Sequence, residues 1–238
     1  MRSDFLIHWT GKDIALDRST LRDTDRADYI GRLASILANG FWMTIFDERI
    51  QGSKGAWIKY ETPMTCFTEV RLSQTVFHAK RYGLMGIGVS RQFVLDRRGG
   101  PVHYVRNHDD ECVVGNVQEI LRVLKGLGEP ELVEYFGVNT SFIKSMSDAN
   151  TDNFMYLDEQ EWRIVHTHSQ EKARNIVATD DSQPPYRIPV RFGDVRIVVF
   201  PDNQTRTKAR SDPTLNAWFQ DPSTSNVILL TIEECGHF

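Results

Sequence analysis

YLDEQEWRIV, residues 156–165, is where the chain returns from a helical middle to an extended pattern, and it does so through two glutamates one residue apart. In a strand, residues i and i+2 face the same way. If the extended geometry begins at or before Glu159, Glu159 and Glu161 therefore point together. Two carboxylates held close repel, and at least one pKa rises unless a cation or solvent intervenes. The pair marks either a wet strand end or a site, and Arg163, two residues further along, is a candidate partner across the same face.

Working outward, FLIHWT (5–10) is a short apolar run that suits a buried strand. In YIGRLASILANG, the residues Tyr29, Ile30, Leu33, Ile36 and Leu37 fall at helical spacing, with Gly40 placed to end the helix. MTCFTEV reads as a strand once Pro63 is passed, and LSQTVFHAKRYG as a short helix ending at Gly83. LMGIGVSRQFV reads as a strand whose Gly86 and Gly88 permit a close approach by another backbone or a ligand. DRRGGPVHYV reads as a turn into a strand, VGNVQEILRVLKGLG as a helix, and ELVEYFG and FIKSMSD extend that helical middle. EWRIVHTH and VRIVVFP read as strands, NQTRTKARSDPT as a loop, LNAWF as a short helix and NVILLTI as a final buried strand. Strands at both ends with helices grouped between them indicate an α+β fold rather than a doubly wound parallel sheet. A single domain spanning residues 1–238 is expected.

The chain has 238 residues, 40% of them hydrophobic, a formal charge of -4 and three cysteines. That charge points neither to a general nucleic-acid binder nor to an acidic tail. Cys66, Cys112 and Cys235 are too widely spaced for a disulfide framework or a metal knuckle, which favours a reducing cytoplasm. The first ten residues turn polar after three apolar ones, and no run approaches the ~18 apolar residues of a membrane span. A cytoplasmic protein without membrane association is expected.

The phosphate-loop, zinc-protease and nucleophile-elbow signatures are missing, and Gly83, Gly86 and Gly88 precede a strand rather than a helix, unlike a dinucleotide fingerprint. His166 and His168 sit two apart on the expected strand, but with no acidic or cysteine partner recognised nearby no metal centre is expected there, nor at Cys235 and His237.

His8 lies inside an apolar run and is followed by Thr10. Alone it reads as a hydrogen-bonded core histidine. Joined to the helix LASILANG, the His-x-Thr element resembles the opening of the ADP-ribosyltransferase fold, in particular its DarT-like branch that modifies nucleic acids. The resemblance implies a split, mixed or antiparallel sheet core with helices and NAD as co-substrate, with His8 and Thr10 on the NAD side. Glu161 would then stabilise an oxocarbenium-like transition state and Glu159 would serve the acceptor. A stacking tyrosine is also implied. Tyr82, one turn from His78 in HAKRYG, and Tyr104, in PVHYV, both compete for that role.

A wider resemblance is to the abortive-infection family AbiGi, carried by HWTGKDI, CFTEVRLSQTVFHAKRYGLMGIGVSRQFV, PVHYV, EQEWRIV, VVFPD and LLTIEECGHF. That family is associated with bacterial phage defence and labelled as antitoxins, which implies a cognate toxin or antitoxin partner. Two functions follow from the resemblances: an NAD-dependent ADP-ribosyltransferase toxin acting on nucleic acid or protein, or a non-catalytic antitoxin built on the same fold. Arg187, Arg191, Arg196, Arg206, Lys208 and Arg210 provide a basic stretch that would meet phosphates if it gathers on one face. The antitoxin reading requires Glu159 and Glu161 to be exposed or paired with arginine.

Overall fold

A computed structural model describes residues 5–46, 49–51, 57–59, 62–69, 71–105, 113–146, 156–180, 185–220 and 227–237. Cys112, the Gly52 and Gly55 loop and Pro184 lie outside them. In chain order the elements open with β1 (Phe5–Thr10), α1 (Asp23–Asn39), β2 (Phe41–Met43), β3 (Arg49–Gln51), β4 (Trp57–Lys59) and β5 (Met64–Thr68). They continue with α2 (Thr75–Tyr82), β6 (Met85–Ser90), α3 (Arg91–Asp96), β7 (Gly100–Pro101), β8 (His103–Val105), α4 (Val113–Leu127), α5 (Pro130–Thr140) and β9 (Ile143–Ser145). The last are β10 (Glu161–Val165), α6 (His168–Lys172), β11 (Val177–Ala178), β12 (Tyr186–Ile188), β13 (Val195–Phe200), α7 (Asn203–Ser211), α8 (Pro213–Gln220), β14 (Ile228–Thr231) and α9 (Ile232–Cys235). The fold is α+β with mixed parallel and antiparallel pairing. Two compact units divide the chain: Met1–Phe41, Phe67–Asp96 and Ile188–Phe238 form the first, and Trp42–Cys66 and Arg97–Arg187 the second. Among the described residues, no helix is long and apolar enough to cross a membrane.

In the first unit, strands run in the order β14-β13-β6-β1, with the end of β5 beside β1 through Ile7 and Thr68. β1 pairs antiparallel with β6 from Phe5 opposite Ser90 to Thr10 opposite Met85. β13 is antiparallel to β6 and parallel to β14. The two β6 glycines do what the sequence suggests, and neighbouring strands take up the space. A Cβ on Gly88 would come within 2.2 Å of Ile197 Cγ2, and one on Gly86 within 2.9 Å of Ile7 and Trp9 carbons.

Helix α1 buries Tyr29, Leu33, Ile36 and Leu37 and ends where Gly40, at φ 94°, donates its N–H to Ile36. It starts at Asp23, inside the charged stretch before the apolar pattern, because Asp25 accepts the Arg22 backbone N–H at 2.8 Å. The same arginine's guanidinium holds the Asp25 carboxyl down at about 2.

Four local expectations are corrected. NQTRTKARS is α7: Asp202 caps it by accepting the Thr205 N–H at 2.7 Å, and its buried residues are only Thr205 and Ala209. The strand through LMGIGVS stops at Ser90, whose Oγ accepts the Phe93 N–H and starts α3. Within FIKSMSD, residues Ile143–Ser145 form β9, parallel to β8, rather than more helix. β14 leaves Ile228 49% exposed, so it is not fully buried. Thr231 and Glu234 then form a reciprocal cap that turns it into α9.

In the second unit β10 pairs antiparallel with β7, with Trp162 opposite Pro101 and Arg163 opposite Gly100. Met64, Val105, Val117 and Val165 form its buried apolar cluster, flanked by Leu121, Phe136 and Phe142. β10 ends at Val165. Thr167 turns the chain by capping α6, so His166 and His168 do not share a strand face.

Candidate functional site

The extended geometry begins at Glu161, later than the glutamate pattern suggests. Glu159 ends a single 3-10 turn over Tyr156–Glu159, and Gln160, at φ 45°, links it to β10 through a left-handed conformation. The two carboxylates nevertheless meet, through a cation rather than through strand alternation. Lys144 Nζ, on β9, donates to Glu159 Oε2 at 2.9 Å and to Glu161 Oε2 at 2.5 Å. Arg163, two residues along β10 and therefore on Glu161's face, donates from Nε to Glu161 Oε1 at 2.5 Å and from Nη1 to the Ser141 carbonyl at 2.6 Å.

These four side chains are inside the second unit. Exposure is 4% for Lys144, 1% for Glu159, 3% for Glu161 and nil for Arg163, so none is a wet strand end. Among the described residues, and with all four ionised, two cations face two carboxylates and their charges balance. That balance is what makes burial tolerable, since an unpaired charge in a low-dielectric interior costs several kcal/mol (order of magnitude). Burial by itself pushes the Glu161 carboxyl up, but Arg163 and Lys144, with hydrogen bonds from Arg163 and Cys66, outweigh it and hold the group below the usual carboxylate range. Tyr104 Oη accepts the Glu161 backbone N–H at 2.8 Å, and burial raises its phenol well above the ordinary value. The Lys144 ammonium also lies 4.3 Å from the Tyr156 ring centroid. Of the two candidate tyrosines, Tyr104 is therefore the one beside the glutamates.

His8, Thr10, His78 and Tyr82 belong to the first unit. The His8 ring packs edge-on against Phe41 and Phe67, with centroids 5.2 and 5.9 Å apart. Phe93 extends this aromatic cluster. Thr10 Oγ1 accepts from Arg32 at 3.2 Å, and His78 is 6% exposed on α2. Tyr82 Oη accepts from Arg81 Nε at 3.1 Å. In the basic stretch, Arg206 pairs with Glu234 at 2.7 Å and Lys208 with Asp23 at 2.9 Å.

Sequence reasoning anticipated Arg163 as a partner and missed Lys144, which lay in a segment read as helix. The available signal was arithmetic. Two carboxylates buried beside an apolar strand need two cations, and Arg163 supplies one.

Residues 50–186 match a family model described as "Putative abortive phage resistance protein AbiGi, antitoxin". No curated protein and no solved structure matches the chain.

Proposed function

The chain belongs to the AbiGi family, and from that membership we propose that it is the antitoxin of a phage-resistance pair, a non-catalytic protein that acts by binding a toxin partner. The observation that carries this reading is the closed state of the glutamate pair. A carboxylate that stabilises a developing glycosyl cation must present an oxygen to the sugar. Both Glu161 oxygens are instead engaged, Oε1 by Arg163 and Oε2 by Lys144, on a side chain 4% exposed. For Glu161 to serve NAD it would have to be uncovered and released from both cations. Glu159 shares the same ammonium. In this reading the quartet is a structural device, and His8, half-buried on β1, packs against an aromatic cluster.

Two measurements test the proposal together. The purified chain is incubated with NAD and with RNA, DNA or cell lysate, beside a Glu161→Gln variant that keeps size and removes charge. No nicotinamide release from either protein is expected. Release that vanishes in the variant would overturn the antitoxin reading in favour of an ADP-ribosyltransferase. Separately, co-expression with the toxic product of a neighbouring gene is expected to restore growth through a direct protein complex. Growth arrest caused by this chain alone would reverse the roles.

A further inference from the structure

We propose that His166, His168 and Glu171 form a binding site for a divalent first-row transition metal ion such as zinc, with Glu134 holding His168 from behind. The inference is independent of the antitoxin reading. It starts from the turn at Thr167, which accepts the Gln170 N–H at 3.3 Å and opens α6 at His168. That turn brings two imidazoles and a carboxylate to one point, where a continuous strand would have left the acidic partner elsewhere.

His166 is fixed on two sides. Its backbone N–H donates to the Pro63 carbonyl at 2.9 Å, and its ring stacks on Tyr186 with centroids 3.9 Å apart. It is 8% exposed, and its Nε2 lies 3.2 Å from Glu171 Oε2. His168 Nδ1 lies 3.8 Å from that same carboxylate oxygen. One donor atom from each of the three residues lies within 4.8 Å of the others. Ligands at about 2.0–2.2 Å around a tetrahedral ion are separated by about 3.3–3.5 Å, so both contacts to Glu171 need only small adjustments, and the two imidazole nitrogens, within 4.8 Å of each other, would have to close by about 1.3 Å at most.

The donor set matches the spacing. Two imidazole nitrogens and one carboxylate suit zinc and its first-row neighbours, and three protein ligands leave a fourth position for water. Glu134 Oε1, on α5, lies 3.4 Å from His168 Nε2, the ring nitrogen other than the one facing Glu171. A carboxylate behind a ligating histidine fixes its tautomer and orientation. Without a metal the same contacts amount to two imidazoles sharing one carboxylate oxygen at a surface where His168 is 69% exposed. The shared oxygen and the carboxylate behind it are what favour an ion over a set of surface hydrogen bonds.

The test is a zinc titration of the full chain, stripped beforehand with a chelator and read by competition with a chromophoric chelator. Wild type is expected to bind about one ion per chain, with micromolar or tighter affinity. His168→Ala, an exposed position, is expected to weaken binding at least tenfold (order of magnitude) while leaving the circular dichroism spectrum unchanged, and Glu134→Gln to weaken it by roughly tenfold to a hundredfold. Cobalt substitution is expected to give visible bands that His168→Ala abolishes. If His168→Ala fails to fold, Glu171→Gln is read in its place. Wild type taking up no zinc, or binding unchanged in the ligand variant, would overturn the proposal.

Discussion

The strands around β6 and the strand β10 are both buried, yet they are filled by opposite means. Between β1, β6 and β13 the interior is apolar, and fit is set by shape: Gly88 faces Ile7 on one side and Ile197 on the other, with no room for a methyl group. Around β10 the interior holds four charged side chains, and fit is set by count, two cations against two carboxylates. An apolar contact tolerates loss of an atom in proportion to the atom lost. A charge quartet tolerates no loss of a member, because what remains is an uncompensated charge without water.

That contrast orders the expected effects of change. The largest is Arg163→Met, which leaves two carboxylates sharing Lys144. Unfolding in urea should show a loss of about 3–5 kcal/mol, and a loss under 1 kcal/mol would mean that the cluster is more solvated than its burial indicates. The next is acidification, which protonates carboxylates throughout the chain, Glu161 among them. Its folded-state pKa is depressed, so its stabilisation is complete above the ordinary value of 4.5 and is lost as pH falls toward the folded value. Urea midpoints measured from pH 6 to about pH 3 should fall in wild type and fall less steeply in Arg163→Met. If the two proteins give parallel profiles, Glu161 is not the group responsible.

On the apolar side, Gly88→Ala drives a methyl into Ile197 and should cost about 1–3 kcal/mol. Ile197→Ala, which removes the Cγ2 that this methyl meets, should cost less in the Gly88→Ala background than in the wild type, and equal costs would break the explanation. The smallest effect belongs to Ile87→Val, at about 0.5–1.5 kcal/mol. If this conservative change cost as much as Arg163→Met, the two regions would not differ in the way described.

The same contrast explains what the sequence disclosed. β1, α1 and β6 are legible from their apolar residues, and Gly40 and Gly83 mark the ends of α1 and α2, although α2 buries Thr75, His78 and Ala79 and exposes Phe77. α7 is hidden because it buries only a threonine and an alanine and is held by polar bonds, Asp202 capping it and accepting Arg26 at 2.9 Å. β9 is hidden because its buried residues are a lysine and a serine, which periodicity counts as exposed. Glu159 and Glu161 were legible as a pair, although the pairing arises through a left-handed residue and a lysine from another strand. Sequence spacing shows which side chains share an element; partners from a different strand carry no spacing at all.

The quartet also acts on the alignment of its own strands. β10 has apolar or aromatic residues at Trp162 and Ile164 and charged ones at Glu161 and Arg163, and strand residues alternate between faces. A slip of one residue would turn Glu161 and Arg163 away from Lys144 and set Trp162 and Ile164 against a buried ammonium. Hydrophobicity alone would resist that slip weakly, since Arg163, Ile164 and Val165 are all buried. The charges therefore read the register of a strand that is buried on both faces, rejecting alignments that an all-apolar strand would accept.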